Sequence, residues 1–332
     1  MDQPTYSFVI PVFNEEDVLP ELHRRVADVA DALDGPCEFI LIDDGSTDRT
    51  GEVAERLRAG DERVKLVTLS RNFGHQLAIT AGLDFAAGDA VVIMDGDLQD
   101  PPELVPEMTE RWREGYDVVY AVRSARPGET RFKRGTAGLF YRLMAKLTNV
   151  EMPVDTGDFR LVDRRVAGIV ANMREPDRYL RGLFAWVGFR QTSVSYERGP
   201  RSAGDTKYSL SRMLRFATDG LLSFSTAPLR ITLASGFVIA GLAFAAGIAA
   251  ILLKAFGAFT TPGWASLIVV LSFFSGVQLI VLGTIGLYVG RIYAQGKDRP
   301  LYLVQRAVGF DPRSDAASAG GRASDQQPAP RI

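Results

Sequence analysis

The stretch VVIMDGDLQDPPE, Val91–Glu103, decides how the chain is read. Its four apolar residues, Val91 to Met94, have the composition of a short strand buried on both faces. They run directly into Asp95, Asp97 and Asp100, with Gln99 among them and Pro101-Pro102 behind. Carboxylates this close repel each other and raise one another's pKa unless a cation sits between them. A hard divalent ion takes oxygen ligands of this kind. Asp is also an ordinary turn residue and Pro-Pro stops a strand, so taken alone the stretch reads equally as a turn.

Working outward, strand-like and helix-like patterns alternate. Strands are expected at Tyr6–Phe13, Glu38–Ile42, Val64–Leu69, Ala90–Met94 and Asp117–Val122. Helices are expected at Val18–Leu33, Asp48–Arg58, Gln76–Ala86 and Glu103–Glu114. The first carries Val18, Leu22, Val26, Val29 and Leu33 on a helical rhythm. Such alternation predicts an α/β fold, a Rossmann-like and mostly parallel sheet covered by helices. Ligands of open α/β sheets bind outside the carboxyl ends of the strands. The loops at those ends are PVFNEE (Pro11–Glu16), DDGS (Asp43–Ser46), SRNFGH (Ser70–His75) and DGDLQD (Asp95–Asp100). One such loop is a turn, whereas four on one edge make a site for a metal and a phosphate-bearing ligand. Neither GxxxxGK[ST] nor, after the first strand, GxGxxG occurs, which argues against a P-loop NTPase or a nicotinamide dehydrogenase. A nucleotide held by carboxylates and a metal instead points to a nucleotide-sugar.

The 332 residues carry a formal net charge of -2, which argues against a general nucleic-acid binder. The single cysteine, Cys37, builds neither a disulfide framework nor a thiolate metal site and is read as a core residue. The N-terminal YSFVIPVFN reads as a strand rather than a signal peptide. The C-terminal third differs. Ile231–Leu253 is uncharged, and a second uncharged run follows Lys254 as far as Gly290, broken by the turn-like TTPG at Thr260–Gly263. Each run exceeds the roughly 20 apolar residues that cross a bilayer as a helix. Spans are expected at 228–254 and 264–291, behind a cytosolic domain over 1–225. Arg230, Arg291, Lys297, Arg299 and Arg306 flank the outer ends, against Lys254 alone in the connecting loop. That asymmetry places the catalytic domain and both termini in the cytoplasm, on a multi-pass protein of the inner (plasma) membrane. A cytosolic segment over 292–310 and a disordered tail over 311–332 complete the chain.

Two basic stretches frame the domain's approach to the bilayer: RSARPGETRFKR (Arg123–Arg134) and RGPRSAGDTKYSLSRM (Arg198–Met213). An amphipathic pattern, Leu139, Phe140, Leu143, Met144 and Leu147, follows the first. Interfacial helices are expected near 134–150 and 207–226. A solvated charge run is the plainer alternative. Arg123, Arg134, Arg201 and Lys207 are the candidate phosphate binders, for an acceptor with a phosphate head and a tail in the bilayer.

The segments VIPVFNEE, LIDDGSTD, LSRNFGHQLAITAGL, MDGDLQDPPE, TGDFRL and RSAGDTKYSL occur in the order seen in inverting GT-A glycosyltransferases of family 2 type. From about Thr5 to Phe310 the chain resembles the bacterial polyprenyl-phosphate glycosyltransferases, relatives of dolichol-phosphate mannose synthase. The resemblance implies a GT-A domain with a C-terminal two-helix transmembrane hairpin. It implies a UDP-sugar donor, glucose by default, a polyprenyl (undecaprenyl) phosphate acceptor, Mg²⁺ or Mn²⁺, and a homo-oligomer, commonly a tetramer. By the same resemblance Asp43 binds the base, with Pro11, Asn14 and Glu15 around the nucleoside. Asp95, Asp97 and Gln99 surround the metal, Asp97 and Gln99 as its direct ligands, and Asp158 is the catalytic base.

Physical chemistry tempers the last role. A phosphomonoester has a second pKa of about 6, so its oxygen is already largely anionic at neutral pH. Asp158 orienting basic residues or the sugar is the alternative. Asp100 is read as a cap before the prolines, Asp44 and Ser46 as turn-shaping residues, His75 and His23 as packed or locally bonded, and Asp163 as paired with Arg164 or Arg165. Gly96 departs from the family, which more often has Ala there, and is expected to loosen the loop.

Three alternatives remain. A GDP-mannose-using mannose synthase is one, although RNFGHQ and DLQDPPE look more like the UDP-sugar branch. A processive synthase is another, although Arg111-Trp112 lacks the Gln of a QxxRW motif. The last is a non-catalytic membrane scaffold.

Overall fold

The computed structural model describes residues 4–123, 156–176, 178–196, 227–256 and 263–310. They fall into two compact units, the second containing the helices of 227–299 and the first the remainder. The first unit opens with β1 (Tyr6–Val12), α1 (Leu19–Asp31), β2 (Cys37–Asp43), α2 (Thr50–Gly60), β3 (Val64–Leu69) and α3 (His75–Phe85). It continues with β4 (Ala90–Ile93), a 3₁₀ turn at Pro102–Leu104, α4 (Val105–Arg113) and β5 (Val118–Arg123). Every predicted strand and helix in this stretch is present, with ends within two residues of expectation. Then follow β6 (Thr156–Asp163), α5 (Arg164–Asn172), α6 (Leu180–Trp186) and β7 (Gln191–Tyr196). The second unit holds α7 (Ala227–Ala255) and α8 (Trp264–Gly296), and β8 (Val304–Val308) belongs again to the first.

All seven residues of β1 are buried, as a strand covered on both faces requires. Helix α1 buries Leu19, Leu22, Val26, Val29 and Ala30, one apolar face, against the sheet. The core beneath it includes Phe8 edge-on to Phe39 at 5.5 Å.

The eight strands lie in the order β7-β5-β6-β4-β1-β2-β3-β8. Pairs β1–β2, β1–β4, β2–β3 and β5–β7 are parallel, whereas β4–β6, β5–β6 and β3–β8 are antiparallel. The sheet is therefore mostly parallel, six of its eight strands running in one direction, and it is mixed through the other two. The exceptions are β6, which returns between β4 and β5, and β8, which closes the far edge. Hydrophobic periodicity identifies a strand but carries no information about its direction.

The β6 reversal has a positional consequence. In its register Ile93, the last residue of β4, faces Arg160. Asp158, two residues earlier in β6, therefore lies at the carboxyl edge of the parallel strands. At the other edge, Leu303 accepts a hydrogen bond from Ser70 N–H at 2.9 Å, joining the approach to β8 to the loop after β3. The Tyr302 hydroxyl donates to Asp84 at 2.5 Å, and Arg174 donates both terminal nitrogens to the same carboxylate at 2.7 and 2.8 Å.

The two long apolar helices cover the segments in which spans are expected. Among the described residues one segment, Phe273–Gly296, is long and apolar enough to cross a membrane, and a shorter apolar stretch covers Thr232–Ala245. Their large side chains, Phe237, Phe244, Phe273 and Leu279 among them, are exposed. The expected interfacial helices and the tail lie outside the described residues.

Candidate active site

The loops at the carboxyl edge are tied to one another side chain to backbone. Asn14, in the left-handed region at φ 57°, accepts the Thr47 N–H at 2.8 Å through Oδ1. Its own N–H donates to Ser46 Oγ at 3.1 Å, and the Glu15 N–H to Thr50 Oγ1 at 2.8 Å. Asp43, nearly buried, accepts the Ser46 N–H at 2.9 Å. Asp44, also buried, takes the N–H groups of Phe73 and Gly74 at 2.7 and 2.9 Å, which fixes the loop after β3 against the loop after β2. Burial pushes the Asp44 carboxyl up, against the pull of those two bonds.

The loop after β4 is equally constrained. Asp97 accepts the Gln99 N–H at 3.0 Å across Leu98, whose φ is 58°. Asp100 is not a helix cap. It is fully buried and accepts the Tyr196 hydroxyl at 3.0 Å and the Asp95 N–H at 3.4 Å, bracing the loop from beneath. Gly96 is not a loosening residue either. A Cβ there would stand 2.8 Å from the Pro11 carbonyl oxygen and 3.0 Å from Val12 Cγ1. The loop lies on β1 at a distance that only glycine permits.

Two buried oxygens in this loop, Asp95 Oδ1 and Gln99 Oε1, have no hydrogen-bond partner among the described residues. Unsatisfied buried acceptors are costly, and a pair of them fits an oxygen-seeking divalent cation. Across the gap the Glu15 carboxyl is pushed up, by burial first and then by the charges of Asp97 and Asp48.

The β6 carboxylate completes the group. Asp158 is 5% exposed. Arg181 grips it with Nε to Oδ1 at 2.9 Å and Nη2 to Oδ2 at 3.1 Å. Gln76 Nε2 donates to Oδ2 at 3.3 Å, and His75 Nε2 stands 3.2 Å from the same oxygen. His75 Nε2 is also 3.2 Å from Asp95 Oδ1, an ion-pair contact without hydrogen-bond alignment. Burial alone would raise the Asp158 pKa, but the bonds from His75 and Arg181 outweigh it and hold the carboxyl far below the usual range. Burial alone would lower His75, and the two carboxylates instead carry it to about 10. Beneath, Arg160 donates to the carbonyls of Gly157 and Asp158 at 2.9 and 3.1 Å, and its guanidinium lies 4.7 Å over the Phe184 ring.

Two donor sets can thus be drawn for a cation. His75, Asp95 and Asp158 offer ligand atoms within 4.8 Å of one another. Asp95, Asp97 and Gln99, the expected set, share Asp95 with it. Asp158 is committed to Arg181 and Gln76, so the expected set better fits an added ion, since it retains the unbonded oxygens.

Of the expected site residues, Pro11, Asn14, Glu15, Asp43, Asp95, Asp97, Gln99 and Asp158 all belong to strand ends or loops at this edge. Arg123 ends β5, and Arg134, Arg201 and Lys207 lie outside the described residues. His75 and Arg181 were not expected here. His75 stood in the SRNFGH loop that marks the edge, whereas nothing in YLRGLF singles out Arg181. Asp163 caps α5 through the Arg165 N–H at 2.9 Å rather than pairing with a neighbouring arginine side chain, and His23 meets Asp61 at 3.1 Å, remote in sequence.

The profile of glycosyl transferase family 2 matches residues 7–168. The uncharacterized glycosyltransferase YkcC of Bacillus subtilis is 49% identical over 92% of this chain and 95% of its own length. The chain belongs to glycosyltransferase family 2. It is accordingly an enzyme that transfers glycosyl groups. Other relatives are the uncharacterized glycosyltransferase sll0501 of Synechocystis, 45% identical over 92% of this chain and 96% of its own, and a prophage bactoprenol glucosyl transferase homolog of Escherichia coli, 40% identical over 90% and 98%. A solved structure, glucosyl-3-phosphoglycerate synthase from Mycobacterium tuberculosis with Mn²⁺ and UDP, aligns with 67% of this chain and 80% of that one at TM-score 0.46 and 22% identity, too distant to transfer a ligand.

Proposed function

We propose that the chain transfers a sugar, glucose by default, from a UDP-sugar to polyprenyl phosphate at the cytoplasmic face of the membrane, with inversion. The observation that carries this reading is the end-to-end likeness, C-terminal helices included, to bactoprenol glucosyl transferases such as that of Shigella phage SfII, 38% identical over 91% of this chain and 97% of its own. The constrained acidic edge supplies the matching donor chemistry.

In this reading Asp43, Pro11, Asn14 and Glu15 hold the nucleoside, and Asp95, Asp97 and Gln99 hold Mg²⁺ or Mn²⁺. When bound, that ion offsets the charge developing on the departing diphosphate. A lipid phosphate oxygen bonds to the anomeric carbon from the face opposite the leaving group, and the bond from that carbon to UDP breaks with its electron pair leaving on the diphosphate. Arg123, Arg134, Arg201 and Lys207 bind the lipid phosphate. No base is required, because the attacking oxygen is already anionic. Asp158 already meets four donor contacts from Arg181, Gln76 and His75, about as many as a carboxylate can accept. We therefore take it as a positioning residue rather than a proton acceptor.

Two spans, α7 and α8, with both termini cytoplasmic, anchor the enzyme in the membrane that holds its acceptor, and anchoring of this kind contributes to orientation. The homo-oligomer, a tetramer by family resemblance, belongs to the same reading.

The test is turnover by the purified, detergent-solubilised full chain with undecaprenyl phosphate, Mn²⁺ or Mg²⁺, and a panel of UDP- and GDP-sugars, followed by mass spectrometry of the lipid. A sugar-phosphate-lipid formed from one UDP-sugar and abolished by EDTA is the expected result. Transfer from GDP-mannose alone moves the protein to the mannose-synthase branch, and UDP binding without any lipid product removes the acceptor assignment.

A further inference from the structure

Among the described residues Arg181 is held from one side. Its Nε and Nη2 are spent on Asp158, while among the described residues no acceptor meets Nη1. The Arg181 side chain is 36% exposed, against 6% for the carboxylate it grips. Its position is over-determined. The Leu180 N–H, at the start of α6, donates to Gln76 Oε1 at 2.9 Å, and the same amide's nitrogen donates to Asp158. Arg160 and Phe184 fix β6 and α6 together beneath it. The contacts then run on without a break, Arg181 to Asp158 to His75 to Asp95, and the Asp95 charge acts on Arg181 itself.

A guanidinium whose only task is to brace a helix gains little from such a setting. Buried ion pairs roughly break even against well-packed apolar residues. A planar fork with one nitrogen that no described residue engages, beside a candidate cation site, is instead suited to a phosphate. We propose that Arg181 binds phosphate in this site and that Asp158, Gln76 and His75 hold it in place for that purpose. The proposal rests on the glycosyl-transfer reading above. The phosphate is either the diphosphate of the donor nucleotide or the monophosphate of the lipid acceptor, and separate arms of one experiment distinguish them.

The experiment uses the full chain and Arg181→Lys, which keeps the charge and loses the fork, with Arg181→Ala as a second variant. Each is measured for UDP affinity in Mn²⁺ by calorimetry, for KM and kcat with UDP-sugar and with undecaprenyl phosphate, and for Tm. A weakening of UDP binding by about tenfold or more, the loss of one charge-assisted hydrogen bond, assigns Arg181 to the donor diphosphate. A comparable rise in acceptor KM with UDP affinity unchanged assigns it to the lipid phosphate. Partial restoration of Arg181→Ala turnover by added guanidinium ion supports either assignment, since a bracing role would not be rescued that way. If folded Arg181→Lys keeps both affinities within twofold and guanidinium restores nothing, the proposal is overturned. Wild-type turnover measured alongside separates the cases. An active wild type with an unaffected variant sinks this proposal alone, whereas a wild type making no sugar-lipid sinks the reading beneath it.

Discussion

His75 Nε2 lies 3.2 Å from Asp158 Oδ2, which ties the first turn of α3 to β6 across the carboxyl edge of the sheet. The same nitrogen faces Asp95, so one imidazole separates a carboxylate in the loop after β4 from one in β6. His75→Ala leaves those carboxylates facing each other without a donor between them. Turnover is expected to fall by about tenfold or more and Tm by several degrees, the scale of one hydrogen bond to a charged group. His75→Gln, which keeps an N–H donor, should recover part of both. An unchanged Tm and turnover in His75→Ala would show the contact to be incidental.

In the proposed reading the cation is held in the loop after β4 rather than against Asp158, because the Asp95 and Gln99 oxygens there are unbonded among the described residues. Asp97→Ala is expected to lower turnover about a hundredfold, the scale of removing one preorganised electrostatic contact. EDTA should reproduce the loss in the wild type, with Mn²⁺ restoring it there and not in the variant. The readout is sugar-lipid formation, checked against calorimetric Mn²⁺ binding in the presence of UDP. Full activity in the variant removes Asp97 from the donor set.

Gly96 packs where a methyl group meets backbone, 2.8 Å from the Pro11 carbonyl oxygen. Gly96→Ala must push the acidic loop off β1. The expected cost is about 1–3 kcal/mol, typical of overpacking, with weaker Mn²⁺-dependent UDP binding. Chemical denaturation and calorimetry measure the two effects. A stabilised variant would mean that the loop shifts at no cost.

Cys37 gives a pH dependence whose sign is fixed. Burial raises its thiol to about 11, and the neutral form is therefore the one the fold favours. A group raised on folding stabilises below its unfolded pKa, about 8.5 for cysteine, and that contribution drains away as pH climbs towards 11. Stability should decline above about pH 8.5 more steeply in the wild type than in Cys37→Ala. Native Cys37 should also resist iodoacetamide at pH 9 and react once unfolded. Rapid alkylation of the native protein would contradict the assignment.

The parallel half of the sheet was legible because strands buried on both faces, such as VVIM, carry unbroken apolar runs and the helices between them a 3.6-residue period. Position then pointed to the candidate site, since four polar loops had to share one edge. What escaped was whatever depends on pairing across long stretches of chain. The direction of β6 decides that Asp158 reaches the edge, yet no local pattern in TGDFRLVD records it. Arg181 reads in sequence like any solvent-facing helical arginine, and only the fold brings it to Asp158. Asp100 misled for the opposite reason: an Asp before two prolines has a ready local explanation, while its Tyr196 partner is 96 residues away.

Because Asn14 holds Thr47, Ser46 holds Asn14, and Asp44 holds Phe73 and Gly74, none of these loops closes its hydrogen bonds on its own. The described loops of this edge are therefore expected to open as one cooperative unit. In native-state hydrogen exchange the amides of Asn14, Thr47, Phe73 and Gly74 should share a single opening free energy, and Asp44→Ala should release all of them together.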